Sequence, residues 1–526
     1  MIDRTDAQKL SGFFNIMLAE LEKYRGDPAV DRQIARARKK ARFTKPELQL
    51  EAIDKFISNN DRVGKFELRL DDDIVENARA FIFYALCNYT ISVDEEAIQT
   101  PLLWEHICDL WAFGPGSSFG VVGTHTVDKI SQDMTCTARC EPWVVSLRRN
   151  NPYFQCNDAR KGRTGITVVP GSKLTTVPKN EDAVRTIAIE PSGSMCLQKA
   201  AGFYLEGVLR RIGLDIRKQQ PKNKALARIG SLTDQLATID LSLASDSISL
   251  PLVRCLFPPE WYSFMCALRS PKTQLPDGRS LDLSMISTMG NGFTFPMMTL
   301  VFTSLIYAMR CRFGGPSLFI DWSQTAVYGD DIIVPSTEYP SLRLILEDAG
   351  FIVNDDKSYS TGPFRESCGG DFYLGREITP VYVKSLARDS NVFVVINQVL
   401  EFCGREKIYL FATLDYLFSL LNVARFVPEW HNPDQGVLCI SGPRKYTYLS
   451  PKLMRKRLRD ESYLVPLAIG GYVYTSGSDI VYSTRAWTPR YEVRRGRIPK
   501  GYATGQAFDK RPAHISQHIQ LILDMM

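Results

Sequence analysis

Thr325-Ala326-Val327-Tyr328-Gly329-Asp330-Asp331-Ile332-Ile333-Val334 decides how this chain is read. Two adjacent acidic residues sit at a glycine-containing tip between two apolar, β-branched runs. The pattern predicts a β-hairpin with the carboxylates at or beside its turn. Two unit charges about 4 Å apart repel by roughly 4 kcal/mol at an effective dielectric of 20. Divalent cations turn that repulsion into attraction. Mg²⁺ takes carboxylate oxygens readily and is usually completed by substrate phosphate. A metal site for phosphoryl chemistry is one reading. A turn that simply uses Gly and Asp is the other, and the hairpin alone does not separate them.

The 526 residues are 44% hydrophobic and 23% charged, which suits a large folded protein of about three domains or subdomains. The formal net charge is only +6, but the cations are clustered, which favours an anionic partner such as nucleic acid. Arg32–Arg42 suits either phosphate contacts or a solvated face, and Lys452–Arg459 and Arg494-Arg495-Gly496-Arg497 suit RNA phosphates. The 12 cysteines show no paired spacing. Cys136, Cys140 and Cys156 come closest to a zinc set, but no fourth ligand stands at a usual distance, so reduced thiols are expected. Asp3, Arg4, Asp6 and Lys9 interrupt the N-terminus, so no signal peptide is expected and a reducing cytoplasm is the simplest compartment. Phe293–Met309 carries no charge and is long enough to consider as a membrane span. Thr294 and Pro296 look like a helix start, and a buried core helix fits better.

Residues 1 to about 115 are predicted mainly helical, and the segment to about 190 mixed. Within it, Lys179 and Arg185 flank a β-run that reads as a phosphate-lined channel or as an exposed charged hairpin. Residues 196–213 predict an amphipathic helix. Leu236–Ile239 predicts a strand running into Asp240, and a small-residue turn leads on to Asp246. That second carboxylate suits either a substrate hydroxyl or a helix cap. Ser287–Thr294 is a glycine-rich loop entering the uncharged helix, where backbone N–H groups can meet a ligand. A helix over 342–349, a strand over 351–353 and Lys357 follow the central hairpin. Phe364–Tyr373 predicts a second tight hairpin.

The order of these pieces resembles the palm of template-directed RNA polymerases. More closely, it is similar to the replicase catalytic subunit of the leviviruses, small positive-strand RNA bacteriophages. The matching blocks are Leu236–Ser249, Ser287–Phe295, Tyr328–Val334 and Phe364–Gly369, with weaker support from Thr176–Asn180 and Leu197-Gln198-Lys199. They cover the core from about 175 to 385.

The resemblance implies an α+β right-hand fold: fingers over 1–235, a palm over 236–385 with a fingers-like insertion near 256–285, and a thumb and C-terminal region over 386–526. It implies primer-independent RNA synthesis from ribonucleoside triphosphates by a two-metal mechanism, with two Mg²⁺ (or Mn²⁺) ions on Asp240, Asp330 and Asp331. Asp330 is expected to touch both ions. Asp246 would lie near the ribose, and Lys179 and Arg185 at the triphosphate. Lys357 would serve as general acid or electrostatic contact. Gly290 and Thr294 keep the family's loop spacing. Met298 stands where related polymerases often carry a sugar-selecting Asn, leaving Asn291 as a substitute. Implied partners are single-stranded RNA, host elongation factors Tu and Ts, and a host ribosomal RNA-binding protein, in the cytoplasm of an infected bacterium. A reverse transcriptase and a non-catalytic RNA-binding palm protein are the alternatives.

Overall fold

The computed structural model describes residues 4–439, except 41–46, 92–96, 101–106, 115, 125, 163–164, 181–182, 315–319, 321 and 429–431. Beyond 439 it describes only the strands Thr447–Tyr448, Ser462–Pro466, Tyr472–Tyr474, Ile480–Tyr482, Tyr491–Arg495 and Gln506–Asp509. The basic cluster Lys452–Arg459 and Arg497 lie outside the described residues.

The chain forms two compact units. One holds residues 46–178 and 184–379; the other holds 1–45, 179–183 and 380–526. The first forty residues pack with the C-terminal part. Glu20 accepts hydrogen bonds from the Ala412 and Thr413 backbones, 2.9 and 2.8 Å, capping the helix Phe411–Ser419. Asp6 accepts from Leu386 N, 2.6 Å, and Gln33 from Val381 N, 2.7 Å. In the basic helix Pro28–Lys40, the Arg36 guanidinium stacks on Tyr382. Among the cations of that run, Arg36 is thus committed to structure.

Four helices and seven strands position the site, in the larger unit apart from residues 179–180 and 183: α1 (Asp72–Leu86), α2 (Ser192–Arg211), α3 (Gln219–Thr233) and α4 (Thr294–Gly314), with β1 (Ser172–Asn180), β2 (Ala183–Ile189), β3 (Leu236–Ile239), β4 (Ala326–Tyr328), β5 (Asp331–Pro335), β6 (Phe364–Ser367) and β7 (Gly370–Tyr373). The fold is α+β. Its central sheet is antiparallel in the order β4-β5-β3. Alternation sorts its two faces. Ile333, Ala326 and Leu236 pack with Leu226 and Ala227 of α3. Ile332, Val334, Val327 and Ile239 face the main core, which contains α4. Both faces are covered, which is why these strands read as near-continuous apolar runs.

Helix α4 is long and apolar enough to cross a membrane, yet most of it is buried inside the protein. It packs against α1 and α2, with Phe81 and Tyr307 rings 4.8 Å apart. Its buried hydroxyls are satisfied locally: Thr299 donates to Phe295 O and Thr303 to Thr299 O, 2.9 and 2.7 Å. Phe302 is fully buried and meets Phe351 edge-on at 4.8 Å. Phe302→Ala is expected to cost about 3–5 kcal/mol of unfolding free energy, read by denaturant titration.

Other expectations hold with small shifts. The predicted helices appear over Ser192–Arg211 and Tyr339–Asp348, and the strand over Ile352–Val353. Pro276-Asp277-Gly278 lies between the paired strands Lys272–Gln274 and Ser280–Asp282. The helical N-terminal region also contains an unforeseen hairpin, Asn88–Ile91 with Ala97–Thr100.

Candidate active site

In the central hairpin Tyr328 pairs with Asp331, leaving Gly329-Asp330 as a two-residue turn. Gly329 has φ +62° while Asp330 does not share the positive region, the pattern of a type II′ turn. A Cβ at Gly329 would lie 2.5 Å from Phe295 Cε2. Three contacts fix this tip. Gly329 N donates to Thr299 Oγ1, 3.1 Å; Phe295 meets the Tyr328 ring edge-on at 4.7 Å; Gln220 Nε2 donates to the Tyr328 hydroxyl, 3.0 Å.

The β5–β3 register sets Ile332 opposite Ile239, so Asp331 and Asp240 emerge at the same end of the sheet. Asp240 Oδ2 accepts from Asn354 Nδ2, 2.8 Å, and its backbone carbonyl accepts from Asn354 N, 2.9 Å. Asp240 N donates to Ser358 Oγ, 3.2 Å. Asp331 Oδ1 accepts from Cys368 N, 3.0 Å, and from Ser367 Oγ, 3.4 Å. These donors come from the second hairpin, β6–β7, whose turn residues Cys368 and Gly369 both have positive φ, as a type I′ turn requires. Arg365 ties that hairpin to the sheet: fully buried, it donates to Leu236 O, Gly362 O and the Asp234 carboxylate.

The three carboxylates share one electrostatic field. Burial, then the charges of Asp331 and Asp240, push the Asp330 carboxyl up to about 6, against the opposing pull of Arg185. Asp331 is also raised, by burial first and by Asp240, with the Cys368 N–H opposing. The donor set is three hard carboxylates that repel one another, which fits Mg²⁺ or Mn²⁺. Among the described residues no three His, Cys, Asp or Glu side chains already form a metal-holding group, so the trio is a field rather than a closed shell. A raised acid contributes stability that is present below its unfolded value, 3.8, and is lost as pH rises through about 6. In metal-free protein, Asp330→Asn should therefore melt higher than wild type at pH 7.5. The gap should narrow towards pH 4, as read by melting curves across that range.

Asp246 stands apart from this trio. It is buried, and desolvation pushes its carboxyl up to about 6. Its Oδ1 accepts from Met289 N, 3.0 Å, so it holds the glycine-rich loop. It does not cap the following α-helix. Ser249 does, accepting from Leu252 N at 3.1 Å, while Asp246 ends a short 3₁₀ turn over Ala244–Asp246 that stops before the helix begins. The loop is fixed again by Ala188 N of β2, which donates to Met289 O, 2.8 Å. Gly290 has φ +118°, and a Cβ there would run into the Ala188 carbonyl. Thr294 Oγ1 donates to Thr288 O, 3.0 Å, and Asn291 Oδ1 accepts from Phe293 N, 3.0 Å. Ser287 Oγ, Thr288 Oγ1 and Asn291 Nδ2 are buried with no hydrogen-bond partner. These unpaired polar atoms lie in the loop that Asp246 holds.

Arg185 lies exposed on β2 and its charge reaches Asp330. Lys179 is on β1, and its side chain lies outside the described residues. Lys357 is half-buried in the Asn354–Lys357 turn, its N–H donating to Asn354 O, 3.0 Å. It is linked to Asp240 through backbone and Asn354. Of the zinc candidates, Cys136 and Cys140 are buried and Cys156 is exposed, and no metal-holding cluster occurs among the described residues. The braces Asn354, Ser358, Ser367, Cys368 and Thr299 escaped sequence reading. Cys368, and Asn354 in part, act through backbone N–H groups, which leave no side-chain signature.

This arrangement belongs to a recognisable class. The sequence model of the RNA replicase beta-chain family matches residues 58–408, and the chain belongs to that family. It is 40% identical over 293 residues to the RNA-directed RNA polymerase subunit beta of Escherichia virus Qbeta, covering 55% of this chain and 46% of that one. It is 44% identical over 229 residues to the subunit of Enterobacteria phage SP, covering 43% and 39%, and 36% over 270 residues to the beta chain of Escherichia phage MS2, covering 51% and 46%. The chain thus spans about half the length of the curated relatives it matches. Among solved structures, the RNA-dependent RNA polymerase of a human picorbirnavirus aligns with TM-score 0.43 and 12% identity over 71% of this chain and 74% of that one.

Proposed function

We propose that this chain carries out RNA-templated RNA synthesis from ribonucleoside triphosphates, replicating a phage RNA genome. The observation that carries this reading is that Asp240, just after β3, and Asp330 and Asp331, of the β4–β5 hairpin, emerge at one end of the sheet and share one electrostatic field. A pair of bound Mg²⁺ or Mn²⁺ ions would stabilise the attacking 3′-oxygen and the departing pyrophosphate. Asp240 and Asp331 each have one oxygen held by a protein donor, which fixes their orientation and leaves the other oxygen for a cation. Asp330, at the turn and most strongly raised, suits a position between the two ions. Arg185 offsets the negative field and suits the triphosphate, with Lys179 as a second cation. Asp246 and the orphan groups of the loop suit the ribose, whose 2′-hydroxyl separates RNA from DNA. Lys357 would donate a proton to pyrophosphate or act as a charge. The relatives are named as subunits, which supports work in a complex. Host elongation factors Tu and Ts and a ribosomal RNA-binding protein are the proposed companions, in the bacterial cytoplasm.

The test is incorporation of ribo- and deoxyribonucleotides on a single-stranded RNA template with Mg²⁺, with and without host extract. Ribonucleotide incorporation is expected. Preference for deoxyribonucleotides would turn the reading into a reverse transcriptase, and template binding without synthesis in either condition would leave an RNA-binding protein.

A further inference from the structure

Gln198, on α2, belongs to none of the elements that carry the acidic trio, and it is completely buried. Its side-chain oxygen accepts from Gly292 N, 3.2 Å, inside the glycine-rich loop. Its amide nitrogen donates to Leu268 O, 2.9 Å, and to Glu190 Oε2, 3.1 Å. The same Glu190 oxygen accepts from Ser270 Oγ, 2.6 Å. Burial raises the Glu190 carboxyl. The two bonds made by the amide nitrogen determine which way the amide faces, and so keep its oxygen towards Gly292. Packing reinforces the alignment: a Cβ at Gly202 of α2 would meet the Gly292 carbonyl, and one at Gly292 would meet Lys199 N at 2.7 Å. Glu190 directly follows β2, the strand that carries Arg185 and hydrogen-bonds Met289 through Ala188. One buried network therefore ties the strand with the phosphate-side cation to both halves of the loop.

We propose that Gln198, oriented by Glu190, is a positioning residue that sets the loop's discrimination between ribose and deoxyribose. Asp246 fixes the loop at Met289 and Gln198 fixes it at Gly292. Asn291, with its orphan amide, lies between the two anchors. Releasing one anchor lets Asn291 and Gly290 shift without touching the acidic trio. The inference rests on the polymerase reading.

The experiment compares wild type, Gln198→Met and Ser270→Ala as full chains with host extract, on an RNA template. Melting temperature, template affinity, and kcat and KM for ribo- and deoxyribonucleotides are measured. Gln198→Met is expected to raise KM for ribonucleotides and to lower the ribo-to-deoxy ratio of kcat/KM about tenfold, the size of one lost neutral hydrogen bond. Template affinity should stay unchanged. Ser270→Ala, which touches the same carboxylate but not the loop, should lower only the melting temperature. An unchanged ratio in Gln198→Met, or an equal loss in both variants, overturns the proposal. If Gln198→Met does not fold, Glu190→Gln keeps the acceptor but loses the charge. It should lower the ratio in the same direction by less, and an unchanged ratio there overturns the proposal equally. A wild type that makes no RNA is a different failure, of the polymerase reading itself.

Discussion

Asp330→Asn is expected to reduce nucleotide incorporation by at least about 10³-fold, the scale seen when a preorganised electrostatic group is removed from a transition state. The substitution keeps the shape of the side chain and the type II′ turn, so template binding should survive. Its own energetics point the other way from activity. Asp330 is half-buried beside two like charges, so the neutral amide relieves a cost that the active protein carries at neutral pH. The variant should be inactive and, without metal, more heat-resistant than wild type. Synthesis at wild-type rate in Asp330→Asn would falsify the metal assignment. Asp331→Asn is a useful companion. Its Oδ1 holds the Cys368 N–H and the Ser367 hydroxyl, so it tests a charge and a hairpin brace together.

Gly290→Ala is the second large effect. At φ +118° the backbone occupies a region that L residues avoid, and the new methyl would meet the Ala188 carbonyl oxygen. Backbone strain of about 1–3 kcal/mol is the expected minimum, before any clash. The loop must then move off β2 or the protein must lose stability. A fall in melting temperature of several degrees is expected, with a rise in KM for ribonucleotides, because Asn291 is the next residue. Wild-type values for both quantities would mean that the loop adopts another conformation in solution.

The hairpin, its two carboxylates and the strand running into Asp240 were legible because local pattern determines them. β-Branched runs around a Gly-Asp tip, and an apolar run ending in Asp, carry their own signal. The uncharged helix was legible for the same reason, since burial on all sides leaves no polar stripe. The capping role considered for Asp246 failed because Ser249, three residues later, makes the better cap, and the choice depends on a short 3₁₀ turn without a periodic signature. Asn354 was invisible as a partner of Asp240 because they are 114 residues apart in the chain. Gln198 belonged to a recognised block, but its role depends on three partners brought together only by the fold. The grouping of residues 1–45 with the C-terminal part had no local signal either, since it rests on single side chains reaching distant backbone N–H groups.

Those distant bonds bear on how the chain matures. Leu386 N is 380 residues from its acceptor Asp6, Val381 N is 348 from Gln33, and Thr413 is 393 from Glu20. During synthesis the N-terminal helices leave the ribosome long before their partners exist. The face that docks on the helix Phe411–Ser419 must wait through the translation of the whole larger unit. Elongation speed and chaperone supply should therefore govern the yield of active protein, and a chain stopped at residue 379 leaves the first forty residues without their docking site.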